Sequence, residues 1–222
     1  MKVLGFDCAG RGCAAAVLVD GEVAASRSTP MERGQAEALL PLIEAVLARA
    51  GLRLAGLDLI AVTVGPGGFT GVRIGLAAAR GFALATGLPL VGVTSFAAVA
   101  AAVPAAARAG RTLVVALDSK RDELFLQAFT QSGALEPVMV APVDAAGSVP
   151  AGPLLLAGDA AARLAPEFGE RARMAAGDGL PDPADVARLG LAAWQPGMRP
   201  DLPRPFYMRA PDTTVARQAA LP

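Results

Sequence analysis

The sequence predicts an α/β protein built from two tandem halves, each a mixed sheet flanked by helices. Three observations carry this. The chain opens on an apolar strand, Val3 to Cys8, with Asp7 near its end, and returns through Cys13 to Val19 and Glu22 to Ser28. Past an alanine-rich stretch that holds Pro104 and closes at Gly110, Thr112 to Asp118 is again a strand ending in aspartate. Strands at Glu123 to Thr130 and Leu135 to Val140 follow it, so the second half opens as the first did. Between these openings, β-branched runs alternate with helix-period segments, the pattern of parallel strands joined by crossover helices. The halves span 1–104 and 105–209, and 210–222 reads as a mobile tail.

Element by element, Asp20-Gly21 is a hairpin signal that makes the first three strands an antiparallel meander. Gln35 to Ala50 sets Ala36, Leu39, Leu40, Ile43, Val46, Leu47 and Ala50 on one stripe, an amphipathic helix bent at Pro41 and stopped by Gly51. Leu59 to Val64 is a strand, and Gly-Pro-Gly-Gly-Phe-Thr-Gly-Val-Arg-Ile-Gly from Gly65 to Gly75 turns it into an apolar helix that runs to Leu84. Gly65, Gly67 and Gly68 can take positive φ without a Cβ penalty, Pro66 presets a turn position, and Thr70 stands where a helix cap belongs. Gly71, Gly75 and Ala79 fall four apart, a face with almost no side chain that admits a close neighbour. Arg73, Arg80 and Thr86 are this helix's only sizeable polar residues, so it is buried on both sides, in a large core or against a partner.

Two other readings of the glycine turn fail. A phosphate loop requires a lysine that is missing here. A dinucleotide fingerprint requires glycine at position 70 and an acid closing the next strand, whereas Leu90 to Val93 ends in Thr94 and Ser95. A helix starts near Thr94. In the second half Pro153 to Ala157 leads into Gly158-Asp159, and Asp159 to Leu164 and Pro183 to Trp194 read as helices.

Composition narrows the function. A hydrophobic fraction of 54% with 18% charge in 222 residues describes an ordered chain with much buried surface. Net charge is zero, pI is near 6.3 and the basic residues are dispersed, which is not the footprint of a protein that grips nucleic acid by itself. Arg73, Arg80, Pro89 and Pro104 interrupt the apolar stretches before they reach the roughly 20 residues a bilayer span requires. Met1-Lys2 leads directly into a strand, so a secretory signal is not expected and the location is cytoplasmic. Cys8 and Cys13 are too few for a disulfide scaffold or a zinc site and read as core residues. With no histidine, neither a Ser-His-Asp nor a Cys-His arrangement can be built, and a peptidase would have to use Lys2 or Lys120 as its base.

The residues from Gly65 to Gly75, preceded by a Leu-Leu-Pro helix, resemble the hallmark of the TsaB (YeaZ) family, and Pro203 to Arg209 resembles that family's Pro-x-Tyr-Leu-Arg ending. The doubled strand-Asp-turn-strand-turn-strand layout is similar to the duplicated ribonuclease-H-like domain shared by actin, Hsp70 and the sugar kinases. The resemblance implies a non-catalytic accessory subunit in the making of threonylcarbamoyladenosine in tRNA, paired with a TsaD subunit and joined by TsaE, a P-loop ATPase. It implies docking through the helices Gln35 to Ala50 and Thr70 to Leu84, with Gln35, Leu39, Ile43, Val46, Gly71, Arg73, Ile74, Gly75, Ala78, Ala79 and Phe82 at the interface. The same surface would pair two copies as a homodimer when the partner is missing. This chain would require no cofactor, ATP and metal would sit on the partners, and tRNA would be met only indirectly. TsaD holds its metal through two histidines and an aspartate; Gln35 and Leu39 at the start of the corresponding helix cannot replace imidazole.

In catalytic members of the superfamily, aspartates ending the two first strands flank magnesium and phosphates, and a strand-Gly-Asp turn approaches the adenosine. Asp7 and Asp118, and Gly158 with Asp159, occupy the matching positions. This leaves an alternative, an ATP-binding phosphotransferase or ATPase using Asp7 and Asp118. The first turn, Cys8 to Gly12, has no Ser or Thr for a phosphate and only Arg11 as a charge. The same aspartates can equally be read as caps of turns at strand ends.

Overall fold

Apolar residues draw β1 (Lys2–Asp7), β2 (Gly12–Val19) and β3 (Glu22–Pro30) into the meander, with β2 turning into β3 at Asp20-Gly21, both of positive φ. The computed structural model describes residues 1–198 and 200–209, so the predicted tail 210–222 lies outside the described residues. Helix α1 (Gln35–Arg49) follows, with Pro41 inside it and Gly51 at positive φ just beyond its end. Strand β4 (Leu59–Gly65), helix α2 (Phe69–Thr86), strand β5 (Leu90–Thr94) and helix α3 (Ser95–Ala102) complete the first sheet and its connections. The sheet order is β3-β2-β1-β4-β5, with β1, β4 and β5 parallel. Thr94 caps α3 by accepting from the Ala97 amide at 3.1 Å.

The second sheet repeats that plan. Strands β6 (Thr112–Asp118), β7 (Leu124–Thr130), β8 (Gly133–Ala134), β9 (Val138–Val140), β10 (Leu154–Ala157) and β11 (Ala172–Met174) assemble in the order β11-β10-β6-β7-β8, with β9 also pairing β7. The strand expected over Leu135 to Val140 forms only as β9, after Pro137, which has no N–H to give to a ladder; β8 precedes the expected span. Helix α4 (Ala161–Leu164) ends at Leu164 as expected, where a 3-10 turn containing Pro166 takes over, but starts two residues after the expected Asp159.

Helix α5 (Pro183–Ala193), capped by Asp182, does not cover the second sheet. It packs on β1, β2 and β4, so the chain after 182 returns to the first half. That return explains why β1 and β2 are buried on both faces rather than alternating: α1 and α2 cover one side, α5 and α3 the other. Helix α3 also packs on β6, placing Phe96, Val99 and Val103 against Leu113, Val115 and Leu117 as the apolar joint between the sheets. After α5, residues 203–209 run as a strap over the end of β4: the Phe206 amide donates to the Val64 carbonyl at 2.8 Å, and Arg80 donates to the Pro203 carbonyl. Among the described residues no helix is long and apolar enough to cross a membrane.

The glycine turn departs from expectation in an instructive way. Of Gly65, Gly67 and Gly68 only Gly65 has positive φ, 102°. Helix α2 begins at Phe69 with Gly68 as its cap residue and no side-chain cap, so Thr70 lies inside the first turn and caps nothing. The other glycines are required by proximity. A methyl at Gly67 would collide with the Ala9 carbonyl and one at Gly71 with the Cys8 carbonyl, while the Gly68 amide donates to the Ala9 carbonyl at 2.8 Å. Gly71→Ala should therefore cost roughly 1–3 kcal/mol of stability by overpacking. Gly81→Ala, whose added methyl meets no atom within 4 Å, should be neutral or gain up to about 1 kcal/mol from helix propensity. Chemical denaturation of the two variants checks this, and equal midpoints would refute the clamp.

Candidate functional site

The face of α2 that bears Gly71, Gly75 and Ala79 is sealed inside the molecule. Gly75 lies over Cys8 and Val62, and all three residues are buried. Leu39, Ile43 and Val46 of α1 are likewise buried in the core that α1 and α2 share with β1, β2 and β4. These six residues, expected at a partner interface, are corrected to core: their spacing announces a close neighbour, and the neighbour is this chain's own sheet. Gly75→Leu would thus force side chain into Cys8 and Val62 before it reached any partner.

The accessible surface of the two helices is a different set. On α1 it is the row Ala36, Leu40, Glu44 and Ala48, with Leu40 46% exposed. On α2 it is Ala77, Gly81 and Ala85, four apart and exposed, beside half-buried Ile74, Ala78 and Phe82 and Leu84 at 89% exposure. The groove where the helices meet holds a cavity of about 340 Å³ between Leu40, Ile43, Leu47, Leu54 and Phe82. Of the residues expected at the interface, Ile74, Ala78 and Phe82 belong to this open face, and half-buried Gln35 stands at its end. Arg73 is exposed but faces the strap: its guanidinium lies 3.6 Å from the Phe69 ring centroid, and Nε donates to the Tyr207 hydroxyl at 2.9 Å. Sequence reasoning missed Leu40's outward orientation and the row Ala77, Gly81, Ala85, although the latter has the same four-residue spacing as the inward row.

The four residues matched to a nucleotide site are held by the fold. Asp7 is buried and accepts from the Ala9 and Gly10 amides at 3.0 and 3.2 Å and from the Thr63 hydroxyl. Burial pushes its carboxyl above the ordinary aspartate range, against the pull of those hydrogen bonds. Asp118 accepts from the Lys120 amide and ammonium at 2.8 and 2.9 Å and lies 3.6 Å from Arg163. Asp159 accepts from the Asp118 amide at 2.9 Å; burial, with the Asp118 charge adding to it, raises its carboxyl. Gly158, at φ 103°, lets the turn press on the Ala116 carbonyl, where a methyl would collide.

These groups border two adjoining cavities. Asp118 and Asp159 border a space of about 30 Å³ between the halves, beside the buried Ser95 hydroxyl, which finds no partner among the described residues. Asp7 opens on a cavity of about 390 Å³ that shares Arg11, Gly179, Leu180 and Pro181 with that space. A nucleotide needs roughly 300 Å³ or more around its phosphates and base together. The space beside Asp118 and Asp159 is by itself too small for that. Among the described residues no group of three or more His, Cys, Asp or Glu side chains is gathered to hold a metal.

A family model described as TsaD, tRNA N6-adenosine threonylcarbamoyltransferase, matches residues 29–193. The chain is 35% identical over 126 residues to the tRNA threonylcarbamoyladenosine biosynthesis protein TsaB of Escherichia coli, a match covering 56% of this chain and 53% of that one. It thus spans about half the length of that curated relative. A solved Pseudomonas aeruginosa protein, described as uncharacterised with similarity to peptidase YeaZ, is 26% identical with a TM-score of 0.79, covering 94% of this chain and 99% of that one. A hexokinase of the ROK class from Thermus thermophilus, 17% identical at a TM-score of 0.53 over 86% of this chain and 99% of that one, shares the fold alone. The two mixed sheets flanked by helices are accordingly the actin and sugar-kinase architecture the sequence predicts.

The cleft's electrostatics give a pH signature. Burial raises Asp118, but the hydrogen bonds and charge of Lys120, with Arg163, more than offset this and hold it below the ordinary value of 3.8. Its stabilising contribution is present above that value and is lost as pH falls through the depressed one. Asp7 and Asp159, raised above 3.8, act oppositely, their contribution being lost as pH rises through their raised values. Asp118→Asn should lower the melting temperature at neutral pH and converge on the parent protein in acid. Parallel melting curves across the acid range would contradict it.

Proposed function

We propose that this chain, which belongs to the family of the tRNA N6-adenosine threonylcarbamoyltransferase TsaD and within it to the TsaB (YeaZ) branch, serves tRNA threonylcarbamoyladenosine biosynthesis as a non-catalytic adaptor. Its role is to dock a TsaD-type subunit, which carries the metal and transfers the threonylcarbamoyl group to the adenine beside the anticodon. A TsaE-type P-loop ATPase joins the pair, and tRNA meets this chain only through the assembly.

The observation that carries the reading is the open face of α1 and α2. Leu40, Ile74, Ala78, Gly81, Leu84 and Ala85 make a mainly apolar surface, with Glu44 and Arg53 as charged residues in its groove. Small residues at 77, 81 and 85 let a partner helix approach to the short interaxial distances that small contacts permit, about 8 Å. The same face can pair two copies of this chain when the partner is missing. Chemistry by this chain is opposed by its composition and geometry together. The sequence has no histidine, and the cleft carboxylates are committed to backbone amides, Thr63 and Lys120.

Leu40→Glu combined with Gly81→Glu places charge on the open face without touching the core. Titration calorimetry against the TsaD-type subunit should show affinity reduced by at least about tenfold, a loss of some 1.4 kcal/mol or more, with an unchanged melting temperature. Sedimentation should show the same variant shifted from dimer to monomer. Undiminished affinity would contradict the reading, as would threonylcarbamoyl transfer to tRNA by the isolated chain.

A further inference from the structure

Cys8 and Cys13 are the chain's only cysteines, and the fold brings them together. β1 and β2 pair antiparallel with Asp7 opposite Ala14, so Cys8 and Cys13 are the next opposed positions in that register, just past the last paired residues. Both enter the core that α1 and α2 cover, and Sγ lies 3.4 Å from Sγ. The Cys13 thiol also lies 3.7 Å from the carbonyl of Gln35, the first residue of α1. Neither sulfur-bearing residue is walled off, for Cys13 borders the cavity of about 390 Å³ and Cys8 borders one of about 960 Å³ at the start of α1 and α2. Either space admits a molecule little larger than water.

We propose that Cys8 and Cys13 form a redox modification site, a dithiol that hydrogen peroxide closes to a disulfide, and that closing it loosens the seat of α2. The Cys13 sulfur attacks one peroxide oxygen, the O–O bond breaks, and the other oxygen leaves as water with the thiol proton, so that Cys13 becomes a sulfenic acid. The Cys8 sulfur then attacks the Cys13 sulfur, the S–O bond breaks, and a second water carries off the hydroxyl with the Cys8 proton. The two thiols supply the two electrons that reduce one peroxide, and exchange with a dithiol reductant returns them. Cys13 is the attacking group because the Cys8 thiol, donating to it, holds it below the ordinary thiol range, while the same bond and burial push Cys8 up. To bond, the sulfurs must close from 3.4 Å to about 2 Å. Cys8 carries with it the carbonyl on which Gly71 sits and the Cβ that faces Gly75. A seat of backbone on backbone has no side chain that can yield to such a shift.

The test treats the folded, reduced full chain with hydrogen peroxide, blocks the remaining thiols and digests it with trypsin. Arg11 lies between the two cysteines, so they fall on separate peptides, 3–11 and 12–27, and a disulfide appears in the mass spectrum as a linked pair. The proposal expects that pair, loss of both titratable thiols and their recovery with dithiothreitol. It also expects amide hydrogen exchange over residues 67–75 to be several-fold faster in the oxidised parent than in the reduced one. Cys8→Ser, treated alike, should stop at a Cys13 sulfenic acid that dimedone traps, with exchange over 67–75 unmoved by peroxide. Thiols that survive the peroxide, a link between two chains, or passage of Cys13 to sulfinic acid without a link overturns the proposal, as does a disulfide that leaves exchange over 67–75 unchanged or slowed. Cys8→Ala takes the place of Cys8→Ser if melting shows that the latter does not fold, and the comparison of oxidised with reduced parent needs no variant. Every readout is taken on this chain alone, so the docking proposal and this one fail separately.

Discussion

Backbone meets backbone where the first turn of α2 sits on the turn between β1 and β2, and this approach constrains much of the molecule. No side chain lies between Gly71 and the Cys8 carbonyl or between Gly67 and that of Ala9, and the Gly68 amide closes the joint. A helix seated so closely has its rotation fixed, since turning it by one residue would drive Val72 or Phe69 into the β-turn. The rotation in turn decides that Gly75, Leu76 and Ala79 enter the core, that Arg73 and Arg80 reach the strap, and that Ala77, Gly81 and Ala85 face outward. One helix thereby serves the core, the C-terminal strap and an open surface.

Much of the architecture is legible in the sequence because the strands are long, apolar and punctuated by strong turn signals. Asp20-Gly21, Gly51 and Pro183 each mark an end through a backbone requirement that acts locally. The return of α5 and residues 203–209 to the first half is not legible, since nothing local in Val186, Ala187 or Phe206 says which sheet they will meet. The glycine and alanine rows of α2 mark the limit of pattern reading most clearly. Spacing states that something comes close, but two rows carry the same spacing and only tertiary packing tells the inward one from the outward one.

The cleft follows from similar reasoning. A strand that ends in aspartate can offer its carboxylate to a cation or fold it back on the next amides, and the sequence does not distinguish these. In Asp7 the second has happened, with Ala9, Gly10 and Thr63 supplying three donors to a buried carboxylate. Asp118 and Asp159 are joined through a backbone amide, and Lys120 and Arg163 complete the balance. Carboxylates used in this way tie turns to strands within each half. Beside Asp118 and Asp159 the space between the halves is about 30 Å³.

A narrow cleft and a closely seated α2 both limit how far the molecule can rearrange. Here α3 and the strap join the two halves through apolar contacts among Phe96, Val99, Leu113, Phe206 and Met208, while α5 packs on the first half. Rigidity is a cost for an enzyme that must close on substrate. For a docking subunit it is an advantage, because a surface already fixed in its bound shape loses little conformational freedom on association. The open row of α2 is held by the glycine clamp from within and by Arg73 and Arg80 from the flank, so its shape is set before any partner arrives. The glycine clamp and the two flanking arginines thus make the exposed row of α2 a preorganised surface.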